Sequence, residues 1–109
     1  MIYFEKMQAM GNDFIFIKET DCEYKDYSEL AKTLCKRYFK IGADGLVVVH
    51  KDPLEMKIFN QDGSKAEMCG NAMRCFITLI KKWKWENSDS FEIICNEEKY
   101  QCMYKENQN

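Results

Sequence analysis

The chain has 109 residues, 46% of them hydrophobic, and its 16 basic and 18 acidic side chains leave a net charge of −2. That length suits one domain with a modest core, burying somewhat under about 70% of its unfolded surface. A charge so near balance gives no strong field for nucleic acid or an anionic membrane, and no tract is long and apolar enough to cross a bilayer.

Met1-Ile2-Tyr3-Phe4-Glu5-Lys6 lacks the basic-then-apolar order of a secretory signal, so a cytoplasmic protein is expected. In that compartment the six cysteines, Cys22, Cys35, Cys69, Cys75, Cys95 and Cys102, are reduced thiols. With no Cys-x-x-Cys pair and His50 as the only histidine, no metal site is expected.

Ile2 to Lys6 alternates and carries β-branched and aromatic residues, predicting a first strand. Met7 to Asp13 reads as a loop turning at Gly11-Asn12-Asp13, and Phe14 to Lys18 as a strand covered on both faces. These strands are expected to pair as a hairpin with a long connection. Asn12 is then either a turn former or a binding side chain projected from a rigid frame. Ser28 is the candidate N-cap of an amphipathic helix over about 28–40, its stripe formed by Leu30, Ala31, Leu34, Cys35, Tyr38 and Phe39. Lys36, Arg37 and Lys40 fall in its last turn, where cations suit the helix dipole.

Gly42 to Gly45 predicts a turn, within which Asp44 reads as a turn carboxylate. Leu46-Val47-Val48-Val49 is a short β-forming run, Pro53 a break, and Met56 to Phe59 another strand. Asn60 to Ser64 is a turn through Asp62-Gly63. From Ala72 to Trp83 apolar residues fall so densely that a helix over about 71–84 would be apolar around most of its circumference. Lys81-Lys82-Trp83-Lys84-Trp85 reads as helix-end charge with tryptophans over the core edge, in preference to a nucleic-acid surface. Phe91 to Cys95 and Lys99 to Tyr104 read as strands joined by Asn96-Glu97-Glu98. The order β-β-α-β-β-α-β-β predicts a single α+β domain over 1–109, with a curved β-sheet wrapped around the second helix.

Cys69 therefore stands at the mouth of a buried helix. Unpaired N–H groups and the positive end of the dipole favour a thiolate there and attract a carboxylate. Gly70 lets a ligand approach the backbone, and Asn71 is a capping residue or a ligand contact. Taken alone, Cys69 reads equally as a buried hydrophobic thiol.

Met68-Cys69-Gly70-Asn71-Ala72-Met73-Arg74-Cys75, with Asn60-x-Asp62-Gly63-Ser64 upstream, closely resembles the signature of the diaminopimelate epimerases. Met10-Gly11-Asn12-Asp13-Phe14 and Gly42-Ala43-Asp44-Gly45-Leu46 resemble that family's other motifs, in the same order. The resemblance implies the N-terminal lobe of a two-lobed, cofactor-independent (PLP-independent) isomerase of lysine and peptidoglycan-precursor biosynthesis. That enzyme interconverts L,L- and meso-diaminopimelate with two cysteines on opposite faces of the α-carbon. Cys69 would be one of them; Gly70 and Asn71 would contact the α-carboxylate, and Asn12 and Asn60 other polar groups of the substrate. Relatives would be about twice as long, so a second lobe or a homodimer partner would complete the site, and the isolated lobe would be inactive. A non-catalytic binding module and a related racemase half-site completed by dimerisation are the alternatives. Gly45, Gln61 and Ala72 depart from the family pattern; at Gly45 the departure leaves only backbone contact, and at Ala72 a methyl group stands where the family has glycine.

Overall fold

The computed structural model describes residues 4–21, 26–36 and 43–105. Its elements are β1 (Glu5–Ala9), β2 (Asn12–Lys18), a 3-10 turn (Glu19–Asp21), α1 (Tyr27–Leu34), β3 (Gly45–His50), β4 (Glu55–Asn60), α2 (Gly70–Lys82), β5 (Ser90–Cys95) and β6 (Glu98–Met103). The six strands form one sheet in the order β1-β2-β3-β4-β5-β6. Three antiparallel hairpins, β1–β2, β3–β4 and β5–β6, are joined by two parallel pairings, β2–β3 and β4–β5. Each parallel pairing is bridged by a helix, as parallel neighbours require.

Crossovers of this kind are right-handed almost without exception. Because the β3–β4 hairpin reverses the strand direction between them, two crossovers of one hand must put their helices on opposite faces. The cores agree. Phe14, Phe16, Val47, Val49 and Ile58 pack with Phe76, Leu79 and Ile80 of α2, whereas the alternate residues Ile15, Ile17, Leu46, Val48 and Phe59 pack with Leu30 and Ala31 of α1. Period-two alternation thus makes β2 and β3 apolar at nearly every position, since both faces are covered. Each such side chain contributes about 1.5–3 kcal/mol by leaving water.

The sheet curls around α2, as expected. Lys82 Nζ lies 2.8 Å from Glu5 on β1, and Cys102 Sγ on β6 lies 3.9 Å from Met73 Sδ, so both sheet edges reach the same helix. Trp83 and Trp85 close one end of the core with rings 4.8 Å apart; Trp85 stands edge-on to Phe76, and Lys18 Nζ sits 4.5 Å from the Trp83 ring.

Four expectations need correction. The first strand is Glu5–Ala9, and it meets β2 through the two residues Met10 and Gly11, at φ 51° and 86°, not through a long loop. Paired positive φ gives the tight turn whose twist matches a hairpin, which pulls Asn12 into the strand. Residues 1–3 lie outside the described residues. Second, α1 is capped by Asp26, whose Oδ1 accepts from Glu29 N–H at 3.1 Å, and it ends at Leu34. Tyr27 is anchored on Phe59, 5.9 Å between rings, and the helix begins two residues earlier than a Ser28 cap would allow. Cys35, fully buried as expected of a packing thiol, closes the last turn onto Ala31 O and accepts from Ala43 N–H, turning the chain back toward β3. Lys36 therefore lies past the helix end, and the expectations at Arg37, Tyr38, Phe39, Lys40 and Gly42 lie outside the described residues. Third, α2 is apolar over less of its circumference than expected: six of its 13 residues are buried, and Arg74, Thr78 and Lys82, four residues apart, form an exposed stripe. Fourth, the β5–β6 turn is the two residues Asn96 and Glu97, both at positive φ without a glycine, and β6 starts at Glu98.

Candidate functional site

Strand alternation and register gather the motif residues. Asn12 lies two residues before Phe14 on β2, and Asn60 two residues after Ile58 on β4, so both share the α2-facing side of the sheet. Gly45 pairs with Asn60 on one side and Phe14 on the other, which places all three at one end of the sheet. The C-terminal end of α2 is tied at Lys82 to Glu5, at the far end of the β1–β2 hairpin. Thirteen residues of helix, about 20 Å, therefore carry its start back to the Asn12 and Asn60 end.

Cys69 is the N-cap residue of α2, at φ −122° and ψ 121°, and its carbonyl accepts the N–H of Met73 at 3.0 Å. The thiol makes no capping bond, so the N–H groups of the first turn are left to a ligand. Half-buried against the rim of the α2 core, the sulfur is neither sealed in packing nor on a remote surface. Asn71 is the second helical residue and not the cap; its Oδ1 accepts from the guanidinium of Arg74. That guanidinium also lies over Gly70, 3.8 Å from where a Cβ would stand. Ala72 is fully buried, so its methyl group is absorbed by the core and does not intrude on the helix mouth.

The 60–64 turn is closely tied. Asn60 N–H donates to Ser64 O at 2.7 Å, Gly63 N–H to Asn60 O at 2.9 Å, and Asn60 Nδ2 to Ser64 Oγ at 2.9 Å. Ser64 donates from its backbone and hydroxyl to Asp62 Oδ1 at 2.9 and 2.6 Å, and the hydroxyl bond is the chief cause holding the Asp62 carboxyl below its ordinary pKa. Gly63 is buried against α1, its missing Cβ only 2.8 Å from Ser28 O and Lys32 Cε. Asn12, half-buried, makes no side-chain hydrogen bond to another described residue. Asp44 is a clasp: its Oδ2 accepts from Asp13 N–H and its own N–H donates to Asp13 O, both at 2.8 Å. A Cβ on Gly45 would stand 3.1 Å from Phe59 O, so the strand contact itself favours glycine there. Asp62, Ser64 and Arg74 lie in the same motif stretches as Asn60 and Cys69, and the Asx-turn chemistry of Asp62 is the sequence signal for this turn.

Of the other thiols, burial pushes Cys75, Cys95 and Cys102 above their ordinary pKa. A depression of about 220 Å³ lined by Phe4, Glu5, Phe16, Lys18, Asp21 and Trp83 lies at the opposite end of α2. Another, about 380 Å³, is lined by Lys65, Ala66, Glu67, Asn96 and Glu97, and neither includes Asn12, Asn60 or Cys69. The candidate site is accordingly a half-buried thiol at a helix start, with three asparagine side chains toward the same end of the sheet. Met10 and Met68, 85% and 39% exposed, neighbour Asn12 and Cys69 in sequence.

Fold and site together define an α+β lobe that presents a cysteine-headed helix at the open end of a curled sheet. The same architecture occurs in solved structures at low identity. It matches methylitaconate-delta-isomerase with a TM-score of 0.72 at 10% identity, over 96% of this chain and 35% of that one. A putative phenazine biosynthesis PhzC/PhzF protein from Clostridium difficile gives 0.69 at 12%, over 97% of this chain and 40% of that one. At the level of sequence, the diaminopimelate epimerase family model matches residues 4–109. The diaminopimelate epimerase of Caldanaerobacter subterraneus subsp. tengcongensis is 59% identical over 80 residues, 71% of this chain and 28% of its own length. That of Halothermothrix orenii is 43% identical over 95 residues, 83% of this chain and 34% of its own length. The chain belongs to the diaminopimelate epimerase family, a family of isomerases. The matched stretch covers about a third of the curated relatives, less than the half that the sequence resemblance implied.

Proposed function

We propose that this chain forms one wall of a diaminopimelate epimerase active site in the cytoplasm, serving lysine and diaminopimelate biosynthesis without a pyridoxal or other cofactor. The Cys69 thiolate takes the α-proton of L,L-diaminopimelate and becomes a thiol. A thiol on the opposite face gives its proton to the α-carbon, producing the meso isomer and leaving a thiolate there. Gly70 and Asn71 receive the α-carboxylate at the α2 start, where the N–H groups and dipole offset the charge that builds up as the proton leaves. Asn12 and Asn60 hold the remaining polar groups.

The observation that carries this reading is the half-buried, uncapped thiol of Cys69 at the start of α2, on the same sheet face and at the same end as Asn12 and Asn60. Such chemistry needs a dry cavity. One wall excludes no water and supplies one thiol, so the chain alone is expected to turn over little or no substrate. A second lobe, or in its absence a second copy, supplies the other wall, and exposed Met10 and Met68 are apolar surface for it to cover. Incubation with L,L-diaminopimelate in deuterated buffer tests this. The isolated chain should incorporate no more α-deuterium than its Cys69→Ser variant, while supplying a family second lobe in trans should restore exchange to the wild-type chain alone. Exchange restored equally to Cys69→Ser would refute the role of this thiol.

A further inference from the structure

We infer that Asp62 and Arg74 are positioning residues that lock two binding amides in opposite polarity, leaving the carbonyl oxygen of Asn60 and the NH2 of Asn71 as the ends available to a ligand. The inference rests on the reading of an amino-acid substrate and extends it to how that substrate is oriented.

The first lock is a relay. An ionised carboxylate only accepts hydrogen bonds, and a serine hydroxyl has a single hydrogen to give. Ser64 gives that hydrogen to Asp62 Oδ1 at 2.6 Å, so its Oγ can only accept from Asn60. The group standing 2.9 Å away must therefore be the NH2 of Asn60, since a reversed amide would set two acceptors against each other. The backbone bonds from Asn60 N–H to Ser64 O and from Gly63 N–H to Asn60 O hold the turn while the side chain is set. The Oδ1 of Asn60 accepts from no described residue.

The second lock is the mirror case. A guanidinium carries N–H donors and no acceptor, so Arg74 selects the Oδ1 of Asn71 and turns the NH2 away from itself. That NH2 has no partner among the described residues and sits beside first-turn N–H groups that are also donors. One end of the wall is thus all donor and suits a carboxylate; the other offers a fixed acceptor and suits an ammonium. Each end of diaminopimelate carries both groups, so the α2 start takes the carboxylate at one end while Asn60 takes the ammonium at the other. An end bearing only a carboxylate is refused at Asn60, and an end bearing only an ammonium at the α2 start.

The test uses the isotope-labelled 109-residue chain and reads the side-chain amides of Asn60 and Asn71 by NMR. Without ligand, hydrogen exchange at the Asn60 NH2 should be slowed about fivefold relative to a free amide, and Ser64→Ala or Asp62→Ala should abolish the slowing. Arg74→Met should shift the Asn71 side-chain carbonyl carbon and leave Asn60 unchanged. With probes added, 1,5-diaminopentane should shift Asn60 and not Asn71, and heptanedioate the reverse. Asn71→Asp keeps the pairing with Arg74 and suits a helix start, so it should hold the fold and yet lose the heptanedioate response, read in both proteins at the backbone N–H groups of residues 70 and 71. Amide signals unmoved by Ser64→Ala and Arg74→Met, or probes that answer at the wrong amide, would overturn the inference. Locks seen as expected with neither probe shifting any amide would support the locking and instead count against the substrate reading.

Discussion

Replacing Gly63 by alanine probes how the Asn60 turn is seated. Gly63 stands at φ +89°, and the Cβ it lacks would lie 2.8 Å from the carbonyl oxygen of Ser28 and 2.8 Å from Lys32 Cε. Lys32 can swing aside, but the Ser28 carbonyl is helix backbone in the first turn of α1. Gly11 is the internal control, because it has nearly the same φ, +86°, and nothing within 4 Å of its would-be Cβ. Gly11→Ala therefore carries the backbone cost alone, about 1–2 kcal/mol, less about 0.4–1 kcal/mol from the stiffer unfolded chain. Gly63→Ala adds an overpacking cost of about 1–3 kcal/mol, for a total of about 1–4.5 kcal/mol. For a domain of this size that lowers Tm by about 5–23 °C, against less than about 8 °C for Gly11→Ala. Urea titrations should show the midpoint falling at constant m, the mark of lost stability without a change in the exposed surface. If the two variants differ by less than about 0.5 kcal/mol, the 60–64 turn does not rest on α1 and the packing argument fails.

Phe76→Ala should cost about 3–5 kcal/mol, since the ring is fully buried between Phe16 and Trp85; a loss under about 1.5 kcal/mol in chemical denaturation would contradict the core described. In native protein at pH 8, iodoacetamide should modify half-buried Cys69 well before Cys75 or Cys95, read by peptide mass after quenching; equal rates would remove the distinction between an open and a packed thiol. Because burial raises the pKa of Cys75 and Cys95, the folded chain keeps protons that the unfolded chain releases. Their contribution is complete below the ordinary thiol pKa and is lost as pH rises from about 8.5 through the raised values, so the urea midpoint should fall between pH 8 and 10.5. A rise over that range would show the sign to be wrong.

Much of the architecture was legible because its signals were local. The Leu46 to Val49 run, the dense apolar stretch after Ala72 and the Asp62-Gly63 turn each announce one element, and each lies where expected. What escaped was decided at a distance. Asn12 looked like turn chemistry beside Gly11, but Met10 accepts positive φ and the strand pairing claims Asn12. Two good capping residues, Asp26 and Ser28, compete at α1, and the choice falls to Tyr27 finding Phe59 on a strand 32 residues away in sequence. In α2, position counted and composition misled: apolar residues dominate the count, while Arg74, Thr78 and Lys82 fall on one stripe that the curled sheet leaves open. At the site, the motifs located Cys69, Asn60 and Asn71, but the direction in which each amide is turned depends on who donates to whom, and sequence does not carry that information.

Only two residue pairs, Glu55 with Ile94 and Met56 with Cys95, stitch β4 to β5, whereas six join β3 to β4. Main-chain bonding across that seam is too sparse to hold the last hairpin by itself, and Phe91 and Ile93, buried with α2, hold it through side chains instead. The molecule therefore behaves as a four-stranded board with a two-stranded flap glued to a helix. Packing lost from α2, the helix that Cys69 heads, would therefore loosen the last hairpin as well.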